Sequence, residues 1–580
     1  MRGTTTPTLP ATLTAAGPEC FMQRRSFVLG AIGTVGAAWA TSGCQPQAPY
    51  AHITGGSSNT ALQRGHALRD ATAWPAPSHT RHVQVLIAGG GVAGLAAARA
   101  MQLAGVQDFA LLELEDTPGG NSRPGQVGGL ACPLGAHYLP VPGDAAREVQ
   151  DWLEELGLRQ RVAGRWRYDD RYLCHSPQER LYQDGTWHKG LLPTHQASAS
   201  TLAQYRRFAQ AVRSAHQAAP FAMPTLTTWE AGGMPAAHRA LDAITFAQWL
   251  AQQGLDDAHL RWYLDHCCRD DFGAGVARVS AWAGIHYFAS RQGFFAPGDA
   301  PSDEAEHPAV LTWPEGNGWL TQRLAAPLGD RLHTATSVLR ITEARHHVLV
   351  DALHHPSGQV VRWQAQRCIV ALPVLVARRV VQNPPAFVPA VAQRLATAPW
   401  VVSNIHINAP LTDRPGAAPA WDSVLYADPT PGGLGYVNAG HQRLDPRPQP
   451  TVLTYYQALG DHPQARQQLA QQPWTHWAHA ALTTLAGPHP DLPARATHIE
   501  VTRYGHAMAI PEPGLGQFLS QIAPTPHKNK GGALSNGERF RPLPLPTSAR
   551  VAYAHADWSG YSVLEEAFTR GHTAGGWAAG

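Results

Sequence analysis

Arg269-Asp270-Asp271 sits between Cys268 and Phe272 and runs into a segment carrying Trp282, His286, Tyr287 and Phe288. Charge in apolar surroundings costs free energy unless it is paired or used. Two arrangements answer that cost. Either Arg269 pairs with one Asp at a helix end, or Asp270 and Asp271 attract a cationic substrate, an attraction that salt weakens at an open site. Near the C-terminus, Tyr553 to Gly575 begins like a buried strand, turns at Ser559-Gly560 and continues like a helix. That turn gathers Asp557, Gly560, Tyr561 and Ser562, and a helix starting there offers N–H groups and a positive dipole end to an electron-rich partner. A third stretch, Val501 to Gly514, supplies Tyr504, His506 and Met508. A His or Tyr beside a reactive ring can hydrogen-bond a substrate or move a proton. The same His506 could equally be an interior histidine with its partners satisfied.

The elements that must position these residues begin at "HVQVLIAGGGVAGLAAARAMQLAG". Val83 to Ile87 reads as a buried strand and Gly91 to Leu103 as a packed helix, with Gly89-x-Gly91-x-x-Gly94 between them. The first glycine allows the turn, the second lets backbone approach a pyrophosphate, and the third lets the helix pack on the strand. The helix start at Val92 and Ala93 then presents N–H groups to phosphate. "DFALLELE" reads as the next strand, ending at Glu113, which is 113 − 89 = 24 residues after the first glycine. That is near the spacing of a ribose-binding acid. Pro118-Gly119-Gly120-Asn121-Ser122-Arg123 follows.

In this order the residues resemble the FAD-dependent amine oxidase superfamily, which includes phytoene desaturases and protoporphyrinogen oxidases. The resemblance places Glu113 on the ribose and Gly119, Gly120 and Arg123 near the phosphates or flavin, although Asn121 stands where the family usually has its Arg. Further patches extend it. "LTWPEGNGWLTQRLAAPLG" precedes a second FAD-domain helix, "RLHTATSVLRI" brings the backbone of Val338 to the adenine, and "RCIVALPVLVARRVVQNPP" leads back into a substrate domain. In the closing stretch, Asp557 takes the position of the FAD-binding acid, and Gly560, Tyr561 and Ser562 begin the helix that covers the flavin. Trp558-Ser559-Gly560-Tyr561 also resembles the monoamine oxidase run whose tyrosine walls an aromatic cage, but with three fewer residues after the acid.

The resemblance implies an α/β fold. A Rossmann-like FAD-binding domain is assembled from three discontinuous segments (83–143, 307–384 and 502–580). A substrate domain of mixed sheet and helices is interleaved as 144–306 and 385–501. The expected cofactor is FAD. No second glycine fingerprint appears, so the expected electron acceptor is oxygen, a quinone or a protein rather than a bound nicotinamide. Many relatives have a Lys near flavin N5, but here "APWVVSNIHIN" carries Ser403 and Asn404, and lysine is absent between Lys189 and Lys528. That departure favours an acceptor other than oxygen.

The chain has 580 residues, 44% hydrophobic and 15% charged, with a net charge of +3, which argues against a nucleic-acid surface. Its seven cysteines show no metal-type spacing, so no metal site is expected. Residues 1–44 read as a signal region. Arg24-Arg25-Ser26-Phe27-Val28 resembles a twin-arginine signal, and the apolar run Phe27 to Ala40 is too short for a membrane anchor. Cys44, after Thr41-Ser42-Gly43, would tether the protein to a membrane if lipidated. Residues 45–82 read as a tether or surface extension. The expectation is a periplasmic flavoenzyme acting on a small molecule, an amine or polyamine, with His506, Tyr504 and Tyr561 as catalytic candidates and Asp270 and Asp271 as substrate-binding ones. A dehydrogenase of an apolar C–C bond and a non-catalytic FAD-binding envelope protein are the alternatives.

Overall fold

The computed structural model describes residues 50–58, 61–71, 73–229, 233–291, 293–298, 309–445, 447–522 and 545–580. The twin-arginine stretch and Cys44 lie outside the described residues. No helix among the described residues is long and apolar enough to cross a membrane.

The glycine motif sits on a seven-stranded sheet. Its central strand His79–Ala88 runs parallel to Phe109–Leu112 on one side and to Gln359–Val370 on the other. Leu332–His333 extends it beyond Phe109–Leu112. Val348–His354 and Thr336–Glu343 continue it antiparallel, and Val551–Tyr553 pairs with the end of Gln359–Val370. Val85, Leu86, Ile87 and Ala88 are wholly buried. A parallel strand covered on both faces has this unbroken apolar run. The helix Val92–Leu103 packs on the C-terminal helix Leu564–Ala579, and glycines set their separation. A Cβ on Gly571 would lie 2.0 Å from the carbonyl oxygen of Ala93, and one on Gly575 2.4 Å from that of Ala97.

The second sheet has eight strands, in the order Thr54–Ser57, Ala496–Ile510, Ala396–Ile407, Thr451–Ala458, Gly433–Asn438, Asp422–Leu425, Glu179–Gln183 and Thr186–Lys189. Its two faces bury separate cores, as the two-residue period of a strand requires. Trp400 and Val402 join the helices Ala258–Phe272 and Ala281–Ala289 on one side. Val401 and Ile405 join the helix Trp474–Leu485 on the other.

The reading of 45–82 as an extension is corrected over part of its length. Thr54–Ser57 is the edge strand of the eight-stranded sheet, in parallel register with residues 498–501. Leu62–Asp70 is helical. Its Arg64 pairs with Asp116 at 2.9 Å. Polar edge strands gain their order from backbone pairing, which leaves no periodic apolar signal to read.

Candidate functional site: two glycine turns and an acid cluster

Two glycine turns face each other. Gly89, at φ 105°, opens the first, and Gly119 and Gly120, at φ 129° and 59°, form the second, all in the left-handed range that glycine tolerates. Gly91 bridges to Gly119, and the Gly119 N–H donates to the Gly90 carbonyl at 2.8 Å. A Cβ on Gly120 would stand 3.3 Å from the Gly91 Cα, so side chains here would fill the gap between the turns. No side chain caps the helix Val92–Leu103. The first N–H groups of a helix, here at Val92, Ala93 and Gly94, have no intrahelical partner, so they are free to meet an anion.

Glu113 closes this cradle. Its carboxylate accepts from the Gly90 N–H at 2.7 Å and the Glu115 N–H at 2.8 Å. Burial raises its pKa against those two bonds. The Thr336 N–H donates to the Glu113 carbonyl at 2.7 Å, which brings in the strand that carries buried Val338. Arg123 donates to the Gly120 carbonyl at 3.1 Å and pairs with Glu115 at 2.8 Å. These features fit a dinucleotide: a close backbone approach, an uncapped helix start and an acid fixed beside the turn.

The C-terminal turn lies at the same end of that sheet, because Ala88 and Tyr553 both pair with Val370 in parallel register. Asp557 accepts from the Val374 N–H at 2.9 Å, and His555 Nδ1 lies 3.3 Å from its carboxylate. Burial pushes the Asp557 carboxyl up, but His555 and the Val374 N–H outweigh it and hold it below the ordinary value. Gly560 adopts φ 67°, and a Cβ there would lie 2.9 Å from Leu515. Ser562 Oγ accepts from the Ala509 N–H at 2.9 Å.

Tyr561, expected as a catalytic or cage residue, is placed as a packing tyrosine. It is 1% exposed, its ring lies 5.0 Å from that of Phe272 and 5.1 Å from that of His286, and its hydroxyl donates to Asp271. Asp271 is thereby taken up as well, because Arg291 also holds it at 3.0 Å. Arg269 pairs with Asp265 rather than with either candidate Asp. The hydroxyl of Tyr504 donates to the Leu134 carbonyl at 2.9 Å and also meets Arg123. It is one of three side chains that strap the 133–135 loop to the sheet. The others are Asn404, donating to the Pro133 carbonyl at 3.0 Å, and Tyr456, donating to the Gly135 carbonyl at 2.9 Å. Asn404 thus has a structural task in the strand where relatives carry a lysine. His506 shares a hydrogen with Thr397 Oγ1 at 2.8 Å, and burial together with Arg466 holds its pKa below the ordinary value. Cys132 is wholly buried and its thiol is pushed up to about 12 by burial, which makes it a poor nucleophile.

Asp270 has a different setting. Its only hydrogen bond among the described residues comes from the Tyr138 hydroxyl at 3.3 Å. Burial first, and then Asp271, push its pKa up to about 7. Two further acids share its surroundings. Glu179 and Asp422 are direct partners in the parallel register of Glu179–Gln183 and Asp422–Leu425. Burial raises Glu179, and it raises Asp422 with the added repulsion of Glu179 and Asp270. Like charges opposite each other in a sheet are destabilising. Trp421 and Tyr138 stand beside the group, with ring centroids 6.0 Å apart. Sequence reasoning missed Glu179, Asp422 and Trp421. Their signal was an acid inside an otherwise strand-like run, and only the register showed that the two acids meet.

The profile of the family described as flavin containing amine oxidoreductase matches residues 92–574, and the chain belongs to that family. No curated protein matches the chain in sequence. Among solved structures, wild-type putrescine oxidase bound to putrescine is similar, with a TM-score of 0.60 and 17% identity over 86% of this chain and 99% of that one. Cyclohexylamine oxidase from Brevibacterium oxydans gives 0.58 and 17% over 86% and 98%. A proposed protoporphyrinogen oxidase from Exiguobacterium gives 0.55 and 14% over 87% and 99%. At these identities the likeness shows the fold: a Rossmann-like FAD-binding domain in discontinuous segments with an interleaved substrate domain. The chain is an FAD-dependent oxidoreductase.

Proposed function

We propose that this enzyme oxidises an amine with more than one nitrogen, a small diamine or polyamine. The observation that carries this reading is the cluster of Asp270, Glu179 and Asp422, walled by Tyr138 and Trp421. The guanidinium that acts on Asp270, that of Arg291, is already held by Asp271 at 3.0 Å. Half-buried acids without counter-ions are costly, and an alkylammonium would offset that cost while its carbon chain lay against the aromatic rings. When bound, FAD supplies a two-electron oxidant that accepts hydride from a carbon beside nitrogen. The reacting nitrogen must be neutral, whereas the cluster favours a charged one. One nitrogen is therefore held by the acids and another reacts, which is why a second nitrogen is proposed.

In this reading Gly89, Gly91, Gly94, Gly119 and Gly120 admit the pyrophosphate, Val92 and Ala93 present N–H groups to it, and Glu113 holds the ribose. Arg123, Val338, Asp557, Gly560 and Ser562 complete the cofactor contacts. His506, facing Thr397 and within electrostatic reach of Asp557, is the side chain best able to move a proton. Electrons leave to oxygen, a quinone or a protein, and the enzyme is exported folded with its cofactor. The protoporphyrinogen oxidase neighbour keeps oxidation of an apolar C–C bond as a second reading.

Anaerobic mixing with a panel of mono-, di- and polyamines tests the proposal. Diamines should bleach the flavin absorbance far faster than monoamines of equal length. Bleaching by porphyrinogens or isoprenoids alone would replace it with the second reading.

A further inference from the structure

We propose that a surface hairpin, Arg159–Val162 paired with Arg165–Tyr168, docks the protein on an anionic lipid surface. The two strands pair with each other and with no other strand among the described residues. Every residue from Gln160 to Arg167 is exposed. Ala163 and Gly164, at φ 49° and 80°, form a two-residue turn that makes the ribbon project. Val162 is 54% and Trp166 41% exposed, and only two other large hydrophobic side chains stand out in this way among the described residues.

The register sets each apolar residue directly opposite an arginine: Arg161 faces Trp166, and Val162 faces Arg165. The Trp166 ring lies 3.8 Å from the Arg159 guanidinium and 5.8 Å from that of Arg161. Arg159 is neutralised by Glu154. Arg161, Arg165 and Arg167 have no ion pair among the described residues, and no acid occurs between Glu155 and Asp169. The tip is therefore cationic on both faces, with an apolar side chain on each. A nucleic-acid backbone would satisfy the arginines and leave Val162 without a use. A bilayer surface satisfies both, because phosphate headgroups lie directly above an apolar layer. Trp favours that boundary and arginine favours its anionic lipids. Such docking is independent of which substrate the enzyme oxidises.

The test uses the full-length, FAD-loaded protein and hydrogen–deuterium exchange of the peptide spanning 159–168, a readout local to the hairpin. Vesicles containing phosphatidylglycerol should slow exchange there, and pure phosphatidylcholine vesicles should not. Arg165→Gln with Arg167→Gln should weaken that protection about 30-fold in lipid concentration, from a roughly fivefold share per arginine. Flavin absorbance should be unchanged, because both side chains are exposed and neither bonds to a glycine-turn residue among the described residues. Val162→Ser with Trp166→Ser should weaken it as well. Unchanged exchange with phosphatidylglycerol, equal protection by phosphatidylcholine, or a double arginine variant that binds like the parent would overturn the proposal. So would protection by duplex DNA or by polyglutamate in place of vesicles.

Discussion

The acids of this protein fall into two groups with opposite surroundings. Glu113 and Asp557 are buried, and backbone N–H groups bond both carboxylates. Burial pushes up Glu179, Asp270 and Asp422; Glu179 and Asp270 push Asp422 further, and Asp271 and Glu179 do the same to Asp270. The first group is finished as it stands: its hydrogen bonds fix loops around the glycine turns. The second is unfinished, and its energetic deficit is what a cationic ligand would remove. In the proposed reading, an acid that shapes a cofactor loop and an acid that selects a substrate are told apart by their partners, not by residue type.

The contrast can be attacked at its strongest point first. Gly94→Ala places a Cβ 1.9 Å from the Gly89 carbonyl oxygen. Backbone cannot yield there as a side-chain tip would, so a loss of about 3 kcal/mol or more is expected, read as a lowered Tm and an FAD-free protein. Glu113→Ala should come next. It leaves the Gly90 and Glu115 N–H groups unpaired, at roughly 1–3 kcal/mol each. Flavin should be lost on desalting, and full retention of flavin would break the comparison on its cofactor side.

Asp270→Asn probes the other side. Flavin should stay bound, while kcat/KM for a diamine falls roughly 30-fold, about the 2 kcal/mol of a truncated buried charge pair. An equal fall for an uncharged substrate would count against the acid cluster as a cation site.

The pH dependence follows from the same residue. The folded pKa of Asp270, about 7, lies above its ordinary 3.8. Folding therefore favours its protonated form: the contribution to stability is full below 3.8 and is lost as pH rises through about 7. Asp270→Asn should flatten the decline of Tm across that window, and diamine kcat/KM in the parent should rise as pH passes 7 and the carboxylate forms. The smallest effect is expected from Tyr561→Phe, which removes one hydroxyl from Asp271 while Arg291 remains. About 1 kcal/mol of stability should go, with the rate of flavin bleaching kept. A large loss of that rate would return Tyr561 to the reacting centre.

Legibility in the sequence followed the range of the interactions. Gly89, Gly91, Gly94 and Glu113 were readable because a turn, a helix start and the next strand are neighbours along the chain, and each constrains residue type locally. Asp557 was singled out through the resemblance of its strand end to the family's. Tyr504 and Tyr561 were read by position as reactive, yet the structure engages both hydroxyls, with Leu134 and Asp271. Nothing in their flanking residues announced partners 370 and 290 positions away. Asn404 shows the same limit: sequence showed that a lysine was missing, and only the structure showed that the replacement straps down the Pro133 carbonyl.

What the sequence by itself determined is the strand–turn–helix around Gly89 and Gly91, because glycine spacing and element order are short-range demands of backbone sterics and hydrogen bonding. What tertiary structure alone decided is the acid cluster proposed as the substrate side. Glu179, Asp270 and Asp422 come from two strands and a helix spread over more than 240 residues, 422 − 179 = 243. Their repulsion exists only once parallel strand register and helix packing bring them together, and no local pattern encodes that register.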